Sequence, residues 1–143
     1  MSFYDHIIVG GGILGASIAY HISKKSNDTV LVLERNDFAS GASSRSAGLV
    51  LQGSTKKSNI PLAKKTVDVI SQLEQELGET VEYHKTGSLR LASSKERVSE
   101  LNSMIETASL FDVDVSVPND RDINKMAPWL NQEEIQQAAF FPS

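Results

Sequence analysis

The stretch Ile7-Ile8-Val9-Gly10-Gly11-Gly12-Ile13-Leu14-Gly15, followed by a helical segment and then Val30-Leu31-Val32-Leu33-Glu34, constrains the fold more than any other feature. An apolar strand runs into Gly10-x-Gly12-x-x-Gly15, a helix follows, and a second apolar strand ends in an acid roughly 20 residues after the last glycine. That order defines a βαβ unit built to hold a dinucleotide. Gly10 permits the tight turn, Gly12 lets the backbone come close to a pyrophosphate, and Gly15 lets the helix pack against the strand. The free N–H groups and positive dipole end of the helix then face the phosphates. Glu34 can accept hydrogen bonds from both ribose hydroxyls, and its charge repels a 2′-phosphate. NADP is disfavoured, which leaves FAD or NAD.

The periodicities along the chain predict a buried strand over Tyr4–Val9 and a helix from Ile13 to about Lys24, with Leu14, Ile18 and Ile22 on one face. Ala16 and Ala19 allow that helix to pack closely on the sheet. A parallel strand covered on both faces is expected over Thr29–Glu34. A second helix runs from about Asn59 to Leu77, with Leu62, Thr66, Ile70, Leu73 and Leu77 at helical spacing and Gly78 as its stop. Short strands are expected at Val81–His84 and Ser88–Ala92 around the Lys85-Thr86-Gly87 turn. Ser93-Ser94-Lys95-Glu96 reads as a capping box, opening a helix with Val98, Leu101, Ile105 and Ala108 inward. Val113, Val115 and Val117 alternate as in a strand, Asp122–Met126 forms a turn of helix before Pro128, and a strand begins at Gln137–Phe141.

The pattern thus passes from a parallel βαβ start to an antiparallel α+β arrangement after about residue 80. A doubly wound sheet needs more parallel strands than these, so the chain is expected to be an N-terminal piece of a larger enzyme.

Between these elements, Asp37 to Gly53 is rich in glycine, alanine and serine, like a flexible linker. Arg45 and the apolar run Leu49-Val50-Leu51 fit a linker poorly. The residues suit a loop whose backbone closes over a large planar ligand, with hydroxyls and one guanidinium for its polar atoms.

Composition narrows the function classes. The chain has 143 residues, 40% of them hydrophobic, and a net charge of −4, which gives no electrostatic reason to expect nucleic acid or anionic membrane as a partner. The basic pairs Lys24-Lys25, Lys56-Lys57 and Lys64-Lys65 read as solvated faces. With no cysteine, disulfides, thiolate metal sites and a cysteinyl flavin link are excluded from this segment. The apolar run Ile7–Tyr20 is shorter than the roughly 20 residues of a membrane span, and it lacks a basic flank. A soluble, cytoplasmic protein is expected. His6 and His21 read as surface residues and Trp129 as a packing anchor. Tyr83 and His84, near the switch in pattern, are weak candidates for substrate contact. No His/Asp/Glu grouping has metal-ligand spacing.

Gly10-Gly11-Gly12-Ile13-Leu14-Gly15, Glu34-Arg35, Gly41-Ala42-Ser43-Ser44-Arg45-Ser46-Ala47-Gly48-Leu49 and Thr86-Gly87-Ser88-Leu89-Arg90-Leu91-Ala92 together resemble the D-amino-acid oxidase superfamily of FAD-dependent oxidoreductases. Within it they are most similar to the sarcosine oxidase and dimethylglycine dehydrogenase branch. The resemblance covers essentially the whole chain. It implies FAD extended across a Rossmann-like domain, with residues 1–80 an incomplete FAD-binding region and residues 81–143 the start of an inserted antiparallel substrate domain.

On this resemblance, Ile13 and Leu14 would touch the pyrophosphate through their backbone, Glu34 the adenosine ribose and Arg35 the adenine side. Gly41, Ser43, Ser44, Arg45, Ser46, Ala47, Gly48 and Leu49 would pass beside the pyrophosphate, the ribityl chain and the flavin ring. It also implies oxidation of a C–N bond in a small amine or amino acid, with the electron acceptor unspecified and the catalytic residues beyond Ser143. Where dimethylglycine dehydrogenase carries a flavin-linked histidine, this loop has Arg45, which implies noncovalent FAD. The segments around Asp37–Gly41 and Ser43–Ser46 also resemble FAD-dependent glycerol-3-phosphate dehydrogenase. An alcohol-oxidising enzyme, an NAD-binding domain and an inactive fragment are the alternatives.

Overall fold

The computed structural model describes residues 3–142, and the chain divides between Leu49 and Val50 into two compact units. In the first, β1 (His6–Val9), α1 (Ile13–Lys25) and β2 (Val30–Leu33) form the expected βαβ unit. The two strands pair in parallel, His6 opposite Val30 and Val9 opposite Leu33. Just before the sheet, the Asp5 carboxylate accepts from the Thr29 amide and hydroxyl, both at 2.8 Å. The Thr29 amide, then its hydroxyl, holds that carboxyl below the usual carboxylate range. His6 is not simply solvated, since its Nε2 lies 3.0 Å from Asp28 Oδ2.

Burial in this unit differs from the sequence expectation. Ile7 and Val9 are exposed, Val9 at 84%, and Leu33 is also exposed. The packed side of α1 is Gly15, with Ala19 and Ile22 half-buried, whereas Leu14 and Ile18 lie open. Apolar spacing locates a helix or strand face but does not say which face is covered, and here α1 offers its smallest residue to the sheet.

The second unit contains α2 (Ile60–Leu77), β3 (Ser88–Ala92), α3 (Lys95–Leu110), α4 (Asp120–Met126) and β4 (Gln137–Phe141). A 3₁₀ turn at Lys57–Asn59 leads into α2, and Gly78 ends it in the left-handed conformation, as its position predicts. β3 and β4 pair antiparallel, Ser88 opposite Phe141 and Ala92 opposite Gln137. The core joins Ile60 to Ala92, Leu101, Ala108, Val113, Ala139 and Phe141. On α2 the buried residues are Ile60 and Val67, while Leu62 of the expected stripe is exposed.

Two expected strands do not form. Val81–His84 has strand-like residues, but Glu82 sits at φ 50°, outside the extended region, and the Glu74 carboxylate takes the Val81 amide. Val113–Val117 reduces to a single bridge in which Ser116 and Phe140 exchange both main-chain bonds. At α3 the cap is shifted by one residue from the expected box, since Ser94 Oγ accepts from the Arg97 amide. Trp129 is no anchor, at 82% exposure.

Lys64 also departs from its reading as a solvated residue. Its Nζ donates to the carbonyls of Phe111 (2.6 Å) and Asp112 (3.0 Å), just past the end of α3, where a cation complements the helix dipole. Lys64→Met keeps the stem and removes both bonds. It is expected to cost about 1–2 kcal/mol, read as a lower urea midpoint, and an unchanged midpoint would return Lys64 to the solvated class.

Candidate cofactor-binding site

The site grows from the turn that ends β1. Gly10 has φ 108°, a conformation that side chains rarely adopt, and its amide continues the sheet by donating to Leu33 O at 2.8 Å. This turn delivers the chain to Gly12, the N-cap of α1, which has no side-chain cap of its own. The first amides of a helix lack intrahelical partners, so the turn presents donors. Gly15 then lies directly on the turn, because a Cβ there would overlap the Gly10 carbonyl oxygen and lie 3.3 Å from Ile8 Cγ2. Close packing of helix on strand therefore occurs at main-chain contact.

Glu34 follows the last residue of β2 and is drawn back onto the glycine turn. Its Oε2 accepts from the Gly11 amide at 2.7 Å and its Oε1 from the Asn36 amide at 3.0 Å. These bonds, Gly11 foremost, hold the carboxyl below the usual carboxylate range. Hydrogen bonds to the charged form have this effect. With the folded-state pKa depressed, the contribution to stability is present above the ordinary range and is lost as pH falls through the lowered value. At neutral pH the group is an anion with lone pairs left for further donors.

The loop after β2 closes over the turn. The Ala39 amide donates to Gly11 O at 2.9 Å, the Ser44 amide to Ala39 O and the Arg45 amide to Ala42 O. Ala39 takes φ 60° to do so. Ser43 Oγ accepts from the Ile13 amide at 2.9 Å. A cleft of about 420 Å³ results, lined by Val9, Gly10, Gly12, the Leu33–Asn36 segment and residues 39–43. A Cβ on Gly10 or Gly41 would meet no heavy atom within 4 Å, so the main chain borders open space there. Amide donors, an anchored carboxylate and approachable backbone suit a dinucleotide.

Of the residues singled out from the sequence, Gly10, Gly12, Glu34, Arg35, Gly41 and Ser43 line this cleft. Ile13 joins it through Ser43, and Gly15 supports it from beneath. Leu14, Ser44, Arg45, Ser46, Ala47, Gly48 and Leu49 are not among its lining residues, although Ser44 and Ser46 hydrogen-bond within the loop. Sequence reasoning missed Gly11, whose amide holds Glu34 and whose Cβ position overlaps the Phe38 ring. Its place between two glycines of the motif was its only signal. Tyr83 and His84 line a separate cleft in the second unit, with Ile70, Ser71 and Glu74.

Among the described residues no group of three or more His, Cys, Asp or Glu could hold a metal. No helix there is long and apolar enough to cross a membrane.

These features define a dinucleotide-binding α/β protein. The chain belongs to the FAD dependent oxidoreductase family, whose model matches residues 5–143, and the family's cofactor is FAD. It is 28% identical over 138 residues to mitochondrial dimethylglycine dehydrogenase of Rattus norvegicus, covering 96% of this chain and 16% of that protein. Over 95 residues it is 44% identical to 4-methylaminobutanoate oxidase (formaldehyde-forming) of Paenarthrobacter nicotinovorans, covering 66% of this chain and 12% of that one. Among solved structures it resembles L-proline dehydrogenase from P. horikoshii, with a TM-score of 0.88 and 25% identity, over 97% of this chain and 36% of the other. The chain therefore spans well under half the length of these relatives.

Proposed function

We propose that the chain forms the FAD-binding part of an enzyme that oxidises a C–N bond in a small amine or amino acid of the sarcosine, dimethylglycine, glycine or D-amino-acid type. The observation that carries this reading is Glu34, an anion anchored on the glycine turn beside an open cleft, in a chain whose relatives include amine-oxidising enzymes. Gly10, Gly12 and Gly15 shape the turn. Ile13 and Leu14 lie at the pyrophosphate, Glu34 at the adenosine ribose and Arg35 towards the adenine. Gly41, Ser43, Ser44, Arg45, Ser46, Ala47, Gly48 and Leu49 follow the pyrophosphate, the ribityl chain and the flavin. Arg45 cannot form a histidyl bond to flavin, so this segment holds the flavin noncovalently, and residues 81–143 begin the substrate domain.

Bound FAD supplies the acceptor for a hydride equivalent, while the protein binds and orients it. The full encoded chain is expected to purify with FAD, identified by chromatography of the nucleotide released on denaturation. Release of NAD, or of no nucleotide after reconstitution, would overturn the reading.

A further inference from the structure

The loop between α2 and β3 is held out of the strand that its residues favour. Gly78 ends α2 at φ 69°, the chain turns back, and Glu74 Oε1 accepts the Val81 amide at 3.1 Å. Glu82 then takes φ 50°, which residues other than glycine rarely adopt. The Thr86 amide closes a tight turn on the His84 carbonyl at 2.9 Å. Backbone held in sparsely populated conformations clusters at ligand sites, and here the folded-back loop and α2 together line a cleft of about 510 Å³. A volume of that order suits a small molecule.

The two sides of the cleft carry opposite charge. From α2 comes Glu74, with one carboxylate oxygen on the Val81 amide and the other unengaged among the described residues. From the loop come His84 and Lys85, and among the described residues Lys85 forms no ion pair with Glu74 or any other carboxylate. Ile70 and Tyr83, both half-buried, add apolar surface to the lining. A simple anion entering this cleft is repelled by Glu74, and a simple cation by Lys85. A molecule that carries both charges is attracted by both sides, so electrostatic complementarity selects a dipolar ligand.

We propose that this cleft, which belongs wholly to the second unit, is a binding site for a small zwitterionic amino acid: the ligand's ammonium meets the free oxygen of Glu74 and its carboxylate meets Lys85. His84 and the Thr86 hydroxyl are further donors to the carboxylate. The broken strand is then what builds the site, because an extended Val81–His84 would release the Val81 amide from Glu74 and take away one side of the cleft. The inference draws on the second unit alone and does not depend on the FAD reading.

Three small probes test it, glycine, acetate and methylammonium, titrated anaerobically into the full encoded chain with bound flavin reduced by dithionite so that no amine is consumed. Occupancy is followed through the His84 ring NMR signals, assigned with His84→Gln. Glycine is expected to shift them saturably and to bind about fivefold more tightly than either singly charged probe. Glu74→Gln keeps an oxygen for the Val81 amide, and Lys85→Met keeps the stem; each is expected to weaken glycine about fivefold, the scale of an exposed charge pair. The order of probes is also expected to change. Acetate gains on glycine in Glu74→Gln and methylammonium gains on it in Lys85→Met, a switch that damage to the loop does not produce. His84 signals that ignore glycine would overturn the inference, as would acetate or methylammonium binding the wild-type chain as well as glycine does, or an unchanged order of probes in both variants. None of these results touches the FAD reading, which stands or falls on the nucleotide released.

Discussion

Gly15→Ala is expected to lose FAD and to destabilise the first unit by about 3 kcal/mol or more. In an exposed helix the same change would stabilise by about 1 kcal/mol, because alanine orders more readily than glycine. The opposite sign follows from the contact: the added carbon overlaps the carbonyl oxygen of Gly10. No rotamer change relieves a clash with main chain. Either α1 lifts from the turn or the turn itself shifts, and both displace the amides and the Glu34 anchor. Denaturant unfolding alongside flavin retention measures both parts. Wild-type stability with bound flavin would show that the helix tolerates standing off the strand.

Gly87→Val is expected to be equally damaging in the second unit, at about 3 kcal/mol or more. Gly87 has φ 75°, a conformation that a β-branched residue avoids. Its Cβ would also come within 2.5 Å of Phe140 Cζ and 2.8 Å of Phe141 O. The Phe140 ring can turn, but Phe141 is paired with Ser88 at the end of the β3–β4 ladder. Gly87→Asn separates the two causes, because asparagine tolerates positive φ yet keeps the crowding. Most of the loss is expected to persist in the asparagine variant. Full recovery there would assign the effect to backbone conformation alone.

The parts of this chain legible from sequence are those whose signal is local. The βαβ unit, the Gly78 stop, β3 and β4 follow from glycine placement and residue periodicity, and the structure reproduces them. Val81–His84 misled because Val81 and Tyr83 suit a strand, while the positive φ at Glu82 leaves no mark in composition. Val113–Val117 alternates correctly but meets its partner only at Ser116. Within the site, Glu34 could be read from its spacing, whereas its distant partner Gly11 could not. Gly11 against Phe38 and Ile13 against Ser43 join residues far apart in sequence, and no spacing rule connects them. Lys64 at the end of α3 escaped for the same reason.

The loop that closes over the glycine turn is fastened largely through main-chain atoms, with Ala39 held by Gly11, Ser44 by Ala39, and Arg45 by Ala42. A fastening of that kind is indifferent to most side chains. Residues such as Ala42 and Arg45 contribute peptide groups to the loop's shape, which leaves their side chains free to be exchanged without rebuilding it. One rigid mould can therefore be refitted for new chemistry by substitution alone, and evolutionary variation in a loop of this design is expected to concentrate at such positions rather than in its length.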